Sequence, residues 1–407
     1  MTVLAEAAPS SAQTRRATLG GVSTTIASVI PVFLIGGLAV QLSAELHFDP
    51  AGLGLVVATY FGGSALAGIP AGAIVERFGA AASSRAAILV AAGSMLAVAG
   101  LAHSYLQLVL FLLFGSVANS VGQLAANTAL AQRIPHGRQG LVFGIKQAAV
   151  PISTLLAGTT VPLLALTVGW RWAWVLAAVI ALGALPLVQR DLARPVRRTE
   201  RRERGATTAL VVIGASATFA SAAANALGTF LVSSSVARGI DPAVAGLTLT
   251  AGSAVCIAAR ILVGWLADRN ARPGGAEPGG RNVAVLAGML GVGAVGMALL
   301  SVAGVPTMVA GVLLAFGLGW AWPGLMNYAV VQLHPTAPAS ATAITQTGVY
   351  LGAFFGPLTL GTVTAHTSYT VTWLCAAGSM ALAAVGMLSG ARMLKNRQEP
   401  SEGYGGA

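Results

Sequence analysis

The stretch GWLADR, residues 264–269, closes a long apolar run with a small residue, an acid and an arginine. GAIVER, residues 72–77, closes another in the same way 192 positions earlier. The match reaches back to where both runs begin. FDPAGLGL (48–55) aligns with IDPAVAGL (240–247) at the same offset. In each, an Asp occupies the N-cap position and a Pro the first helical position. Later the offset drifts: NTALAQRIP (127–135) pairs with NYAVVQLHP (327–335) at 200, and KQAAVP (146–151) with TQTGVY (345–350) at 199. The chain therefore reads as two diverged copies of one unit.

Composition says what kind of unit. The 407 residues are 56% hydrophobic and only 9% charged, against about 25% charged in soluble domains. Apolar stretches long enough to cross a bilayer recur throughout. In lipid the backbone must satisfy its own hydrogen bonds, and no alternation of a barrel strand appears, so the spans are helices. Twelve are predicted, near 20–44, 51–74, 84–102, 105–131, 140–165, 171–189, 208–236, 243–267, 282–303, 306–331, 339–364 and 369–391. The one long charged stretch, RDLARPVRRTERRERG (190–205), carries seven arginines and divides them six and six. The expected organisation is an N-terminal tail (1–19), a six-helix bundle (20–189), an Arg-rich linker (190–207), a second bundle (208–391) and a C-terminal tail (392–407).

Basic residues fix the orientation. With the N-terminus inside, nineteen of the 23 lysines and arginines fall on the cytoplasmic side. Arg171 and Arg238 fall outside, and Lys146 and Arg260 lie within spans. The net charge of +11 thus reports membrane topology and is no sign of nucleic-acid binding. Arginine outnumbers lysine 21 to 2 and alanine is abundant, a bias of high-GC bacterial genomes, so a bacterial inner membrane is the expected location, with both termini cytoplasmic. Cys256 and Cys375 lie in apolar spans and read as small buried hydrophobes. Trp170, Trp172 and Trp174 at the start of span 6 read as an interfacial belt.

The pattern G-x-[small/apolar]-x-[D/E]-R-x-G, here Gly72, Glu76, Arg77 and Gly79, resembles the loop motif of the major facilitator superfamily. Gly264, Asp268 and Arg269 are its second-half copy. With twelve spans and a charged mid-linker, the resemblance covers most of residues 15–395. It implies that superfamily's fold, two pseudo-symmetric six-helix bundles with the substrate site between them near the midplane. The first copy departs by having Glu76 where Asp is usual and Ala80-Ala81 where a basic pair is common. A carboxylate at its own helix C-terminus is disfavoured by the dipole and needs an outside partner. In the superfamily that partner is the N-terminus of a helix in the opposite half, so these seven residues form an expected cytoplasmic gate.

Inside the membrane the expected ligands are basic and neutral. All twelve acids fall in tails, loops or span ends, which argues against a carboxylate proton relay. Glu45, at the outer end of span 1, stands nearest to an exception and reads as a coupling group or an exposed loop end. Arg260 lies eight residues before Asp268, about 12 Å deeper at 1.5 Å per residue. ARILVGWLAD (259–268) is similar to the helix-8 segment of monocarboxylate and oxalate–formate transporters, whose matching arginine binds the substrate carboxylate. Those carriers usually have an Asp where this chain has Cys256. Two readings of Arg260 stand open: an anion ligand, or a structural group bonded to backbone carbonyls. Lys146 likewise reads as a second cationic contact or as a snorkelling side chain.

Asn119, Gln123 and Asn127 recur every four residues and share one face of span 4. With Asn225 on span 7 and Asn327 and Tyr328 on span 10 they complete the expected site, since spans 1, 4, 7 and 10 line the cavity in the superfamily. Amides also glue helices together, which is the alternative for each. Trp320 and Trp322 are a candidate aromatic wall. Gly348, Gly352 and Gly356-Pro357 mark span 11 as a small-residue stripe with a kink.

The expected function is secondary transport of a small polar or anionic organic solute by alternating access. A drug exporter is the alternative within transport, weakened because Val150-Pro151 stands where such exporters have Gly-Pro. A non-transporting receptor or sensor is the alternative of another class, disfavoured by short tails. No nucleotide loop, metal cluster or embedded dyad points to an enzyme or a cofactor. The expected partners are the substrate and the bilayer, with a coupling proton or ion left open, and the expected state is a monomer.

Overall fold

The computed structural model describes residues 11–131, 139–188, 208–270, 278–334 and 338–396. The Arg-rich linker (190–205) lies outside the described residues. Among the described residues there are helices and no strands. Twelve are long and apolar enough to span a membrane: α1 (Arg15–Gly37), α2 (Pro50–Phe78), α3 (Ala80–Leu101), α4 (Tyr105–Leu130), α5 (Gly140–Ala165), α6 (Trp170–Leu187), α7 (Thr208–Ala237), α8 (Pro242–Arg269), α9 (Gly280–Ser301), α10 (Val305–Leu333), α11 (Ala341–His366) and α12 (Tyr369–Lys395). The chain is a multi-pass membrane protein. With an even number of spans, both ends of the described chain emerge at one face, called here the termini face.

The duplicated starts fold as their sequences dictate. Asp49 Oδ1 accepts from Gly52 N at 2.8 Å, and Asp241 Oδ1 from Ala243 N at 2.8 Å, each just before a helix-opening proline. Packing repeats too. Within one half α1 packs on α5, α3 on α4 and α3 on α6; within the other α7 packs on α11, α9 on α10 and α9 on α12. Across the halves α5 meets α8, α2 meets α11 and α1 meets α7. At the face remote from the termini these crossings are backbone to backbone. A Cβ on Gly36 would collide with the Gly228 carbonyl, and one on Gly54 with that of Pro357. Small residues let helices close where lipid offers no hydrophobic drive for association. The small stripe of α11 turns to α7: Gly352 lies against Thr218, and Gly356 against Ala222.

The two arginines expected outside have structural work there. Arg171 Nη2 donates to the carbonyl of Ala102 at 3.0 Å, just past α3. Arg238 donates to the carbonyls of Leu300 and Val302, at the matching end of α9. Each cation supplies donors to C-terminal carbonyls that a helix leaves unpaired. Arg171 also bonds Glu45 at 2.5 Å and stacks on the Trp170 ring, whose Nε1 donates to Glu45 at 2.6 Å. So Glu45, on a short helix (Ala39–Leu46) that follows α1, is a brace to α6.

Two sequence expectations are corrected. Trp170 and Trp174 are buried and only Trp172, 57% exposed, faces outward, because α6 packs on α3 along the other two. Cys375 is exposed on α12, whereas Cys256 is buried as expected. Burial pushes the Glu45 carboxyl up, but the Trp170 indole, the Arg171 guanidinium and the charge of His103 together hold it below the ordinary carboxylate range. A lowered carboxyl contributes stability above its unfolded value and loses it as pH falls through the folded one. The parent is therefore expected to lose thermal stability more steeply than Glu45→Gln as the pH drops below about 4. Parallel slopes in thermal unfolding would contradict the brace.

Candidate functional site

Between the halves lies a cavity of about 500 Å3. Asn119, Gln123 and Asn127 of α4 form one wall, as their spacing of four requires, and Asn225 of α7 and Asn327 of α10 face it. Lys146 and Arg260 line it as well, and among the described residues no Asp or Glu does. Tyr328 is not brought to the cavity. One residue beyond Asn327 is a turn of 100° on a helix. Its side chain is buried within electrostatic reach of Asp268 instead. Residues that the sequence reading left out join the site: Gln147 of α5, Gln346 and Tyr350 of α11, and Phe33 and Phe61. The i, i+4 spacing of Gln346 and Tyr350 is the signal that could have found that pair.

Lys146 does not snorkel. It is 5% exposed, and its Nζ donates to Gln123 Oε1 at 2.5 Å, using one of three N–H donors. Arg260, 2% exposed, takes the structural option its sequence left open. Nε and Nη2 donate to the Trp320 carbonyl at 3.1 and 2.6 Å, and Nη1 donates to the carbonyl of Gln147, next to Lys146. The Trp320 carbonyl is free because α10 is broken there. A π-helical turn (Ala315–Gly319) gives way to a turn, and the helix restarts at Trp322 with a proline behind it. Such breaks survive at membrane depth only where something else satisfies the backbone. Arg260 supplies that in two halves at once, since Gln147 belongs to the first and Trp320 to the second.

Two polar atoms beside the cavity have no partner. Asn119 donates to Ser64 Oγ at 3.0 Å, but its Oδ1 is buried and unpaired, as is Trp322 Nε1. An aromatic pair lines the same cavity: Phe33 and Trp320 meet edge to face at 5.7 Å.

Among the described residues the two copies of the loop motif differ in their contacts. Asp268, at the end of α8, accepts from the backbone N–H of Gly140 and of Leu141, both at 2.8 Å. Its carboxylate thus leaves the negative end of its own helix for the positive start of α5. Gly264 permits this, because a Cβ there would stand 2.5 Å from the Gly140 carbonyl oxygen. In the first copy a Cβ on Gly72 would meet nothing within 4 Å, and Glu76 is exposed with no hydrogen bond or ion pair among the described residues. Arg77 and Arg269 lie over Phe78 and Trp265 at 5.4 and 5.2 Å. The residues just before α11, where a partner for Glu76 was expected, lie largely outside the described residues.

Removing Arg260 leaves two carbonyls without donors at membrane depth, at about 1–3 kcal/mol each. Arg260→Met is expected to lower the unfolding temperature of unliganded protein well below the parent, with Arg260→Lys between them. Equal unfolding temperatures would mean that these bonds carry no stability.

A family model described as the Major Facilitator Superfamily matches residues 19–273 and, in a second overlapping match, 211–404. No curated protein matches the chain. A solved structure of a bacterial homolog to the human lysosomal transporter Spinster, inward-facing and occupied, is 16% identical, with 96% of this chain and 98% of that chain covered and a TM-score of 0.69. A structure of the same description in an inward-facing, unoccupied conformation is 15% identical, with 96% and 100% covered and a TM-score of 0.70. At that identity the likeness is one of fold.

Proposed function

The chain belongs to the major facilitator superfamily and is a secondary transporter; from that premise we propose that it carries a small organic anion across a bacterial inner membrane by alternating access. One observation carries the reading: a cavity at the interface of the halves holds two buried cations and, among the described residues, no carboxylate. A buried charge costs on the order of 3 kcal/mol or more without a partner. Arg260 finds its partners in carbonyls, but Lys146 has only one neutral oxygen. A bound anion is the remaining partner for the lysine, with Asn127 and Asn327 on the same cavity to orient it, while the Asn225 amide already donates to Ser221. The similarity of the α8 segment to monocarboxylate and oxalate–formate transporters agrees with an anion. In this reading Lys146 is the direct contact and Arg260 holds the site's frame.

The bundles 20–189 and 208–391 are the moving bodies, with the termini face cytoplasmic. The close crossings seal the opposite face, and the disengaged Glu76 copy leaves the cytoplasmic side open between α2 and α11. The inward-facing state of the similar solved structures supports that assignment. Of the two expected gates, Gly72, Glu76, Arg77 and Gly79 form the one that opens, and Gly264, Asp268 and Arg269 latch the seam about which the halves turn.

The test is ligand-dependent thermal stabilisation of purified protein by a set of small carboxylates. Stabilisation of the parent is expected, with an apparent affinity at least roughly tenfold weaker in Lys146→Gln, the loss of one charge-assisted bond. If no carboxylate binds, or Lys146→Gln binds equally well, the anion reading fails.

A further inference from the structure

We propose that the substrate is an anion with one long unbranched apolar chain, its head beside Lys146 and its chain leaving the cavity sideways between α2 and α11. This rests on the anion reading above and names the class of anion. It begins with a helix that has lost its neighbour. From Ala65 to Pro70 every residue of α2 except Ala67 is exposed, Leu66 at 71% and Ile69 at 82%. Over six residues that covers most of the helix circumference. The remaining side of this stretch packs only within its own half: Ser64 donates to the Ser116 carbonyl at 3.1 Å, and Ala71 and Val75 join a cluster with Ala118 and Val121. Toward the opposite face α2 and α11 do meet, and a Cβ on Gly62 would stand 2.8 Å from the Phe354 ring.

Below that contact Ala65, Gly68 and Ile69 of α2 line the same cavity as Lys146, opposite Ala343 and Thr347 of α11. Residues that are exposed and line the cavity together define a window. Ile69 and Ala65 stand nine and thirteen residues before Phe78, so the window lies about 13–20 Å from that end of α2 at 1.5 Å per residue. On a helix of 29 residues, about 43 Å long, that depth falls inside a hydrocarbon layer about 30 Å thick. At that depth the window faces acyl chains, above the cytoplasmic opening between the same two helices. Its lips are uncharged and small or apolar, while both cations sit inward. A short hydrophilic acid has no use for such an opening, whereas an alkyl chain can stay in lipid as its head group is bound.

The probes are butanoate, dodecanoate and dodecanol, with binding measured on the full chain in phosphatidylcholine nanodiscs and empty discs subtracted for partitioning. A Cβ on Gly68 would meet only Ser120 Oγ, at 3.9 Å, so Gly68→Phe fills the window without breaking the helix. Leu66→Phe, on the exposed side and outside the cavity lining, is the size-matched control. Dodecanoate is expected to bind roughly tenfold or more tighter than butanoate, since each buried methylene is worth up to about fourfold. Gly68→Phe should collapse that ratio and Leu66→Phe should preserve it. Equal affinity for the two acids, or an unchanged ratio in Gly68→Phe, overturns the window while leaving an anion site in place. Dodecanol binding as tightly as dodecanoate, or binding of neither acid, overturns the anion reading and this inference with it.

Discussion

The carboxylate of Asp268 takes the two free N–H groups at the start of α5, and the relation of the two halves depends on that bond. A carboxylate and a helix N-terminus attract each other, while the same carboxylate at the end of its own helix is repelled. The bond forms only because Gly264 and Gly140 bring their backbones into contact. Above it the same two helices stay joined: Gly144 lies against the Arg260 carbonyl, the Thr154 and Ser253 hydroxyls bond at 2.7 Å, and Gly158 meets Gly246. The seam of α5 and α8 is closed from end to end.

Its pseudo-symmetric counterpart is not. The seam of α2 and α11 is closed at Gly54 and Gly62, and beyond them a Cβ on Gly72 would meet no neighbouring atom among the described residues. Among the described residues the two seams thus differ, one closed throughout and the other closed only toward the face remote from the termini. Arg260 stands at the closed seam and ties α5 to the break in α10, so the proposed substrate contact at Lys146 and the integrity of the seam share neighbouring backbone. This suits a hinge about α5 and α8 better than a symmetric rocking motion.

Much of the fold was legible in the sequence, for local reasons. Asp-Pro at 49–50 and 241–242 fixed two helix starts through bonds within four residues. The spacing of Asn119, Gln123 and Asn127 fixed a cavity face through helical geometry alone. The partner of Arg260 was not legible, since nothing near residue 260 reveals that α10 breaks sixty positions later. Tyr328 was misplaced because it sits beside Asn327 in sequence and about 100° from it on the helix. Trp170 and Trp174 were read as interfacial from residue type, whereas contact with Glu45 and α3 decided their place. The state of each gate was beyond sequence, for copies nearly alike in residues differ in what they touch.

The central claim is that the halves stay joined along α5 and α8 and part along α2 and α11. Electron–electron distance measurement on two spin-label pairs tests it most directly, one at positions 145 and 266 across the closed seam and one at 73 and 343 across the open one. The account predicts a single narrow distance for the first pair, with or without ligand, that broadens in Asp268→Asn, and a broad, ligand-sensitive distribution for the second. If the first pair in the parent moves as far as the second on adding ligand, the seam is no hinge and the account is wrong.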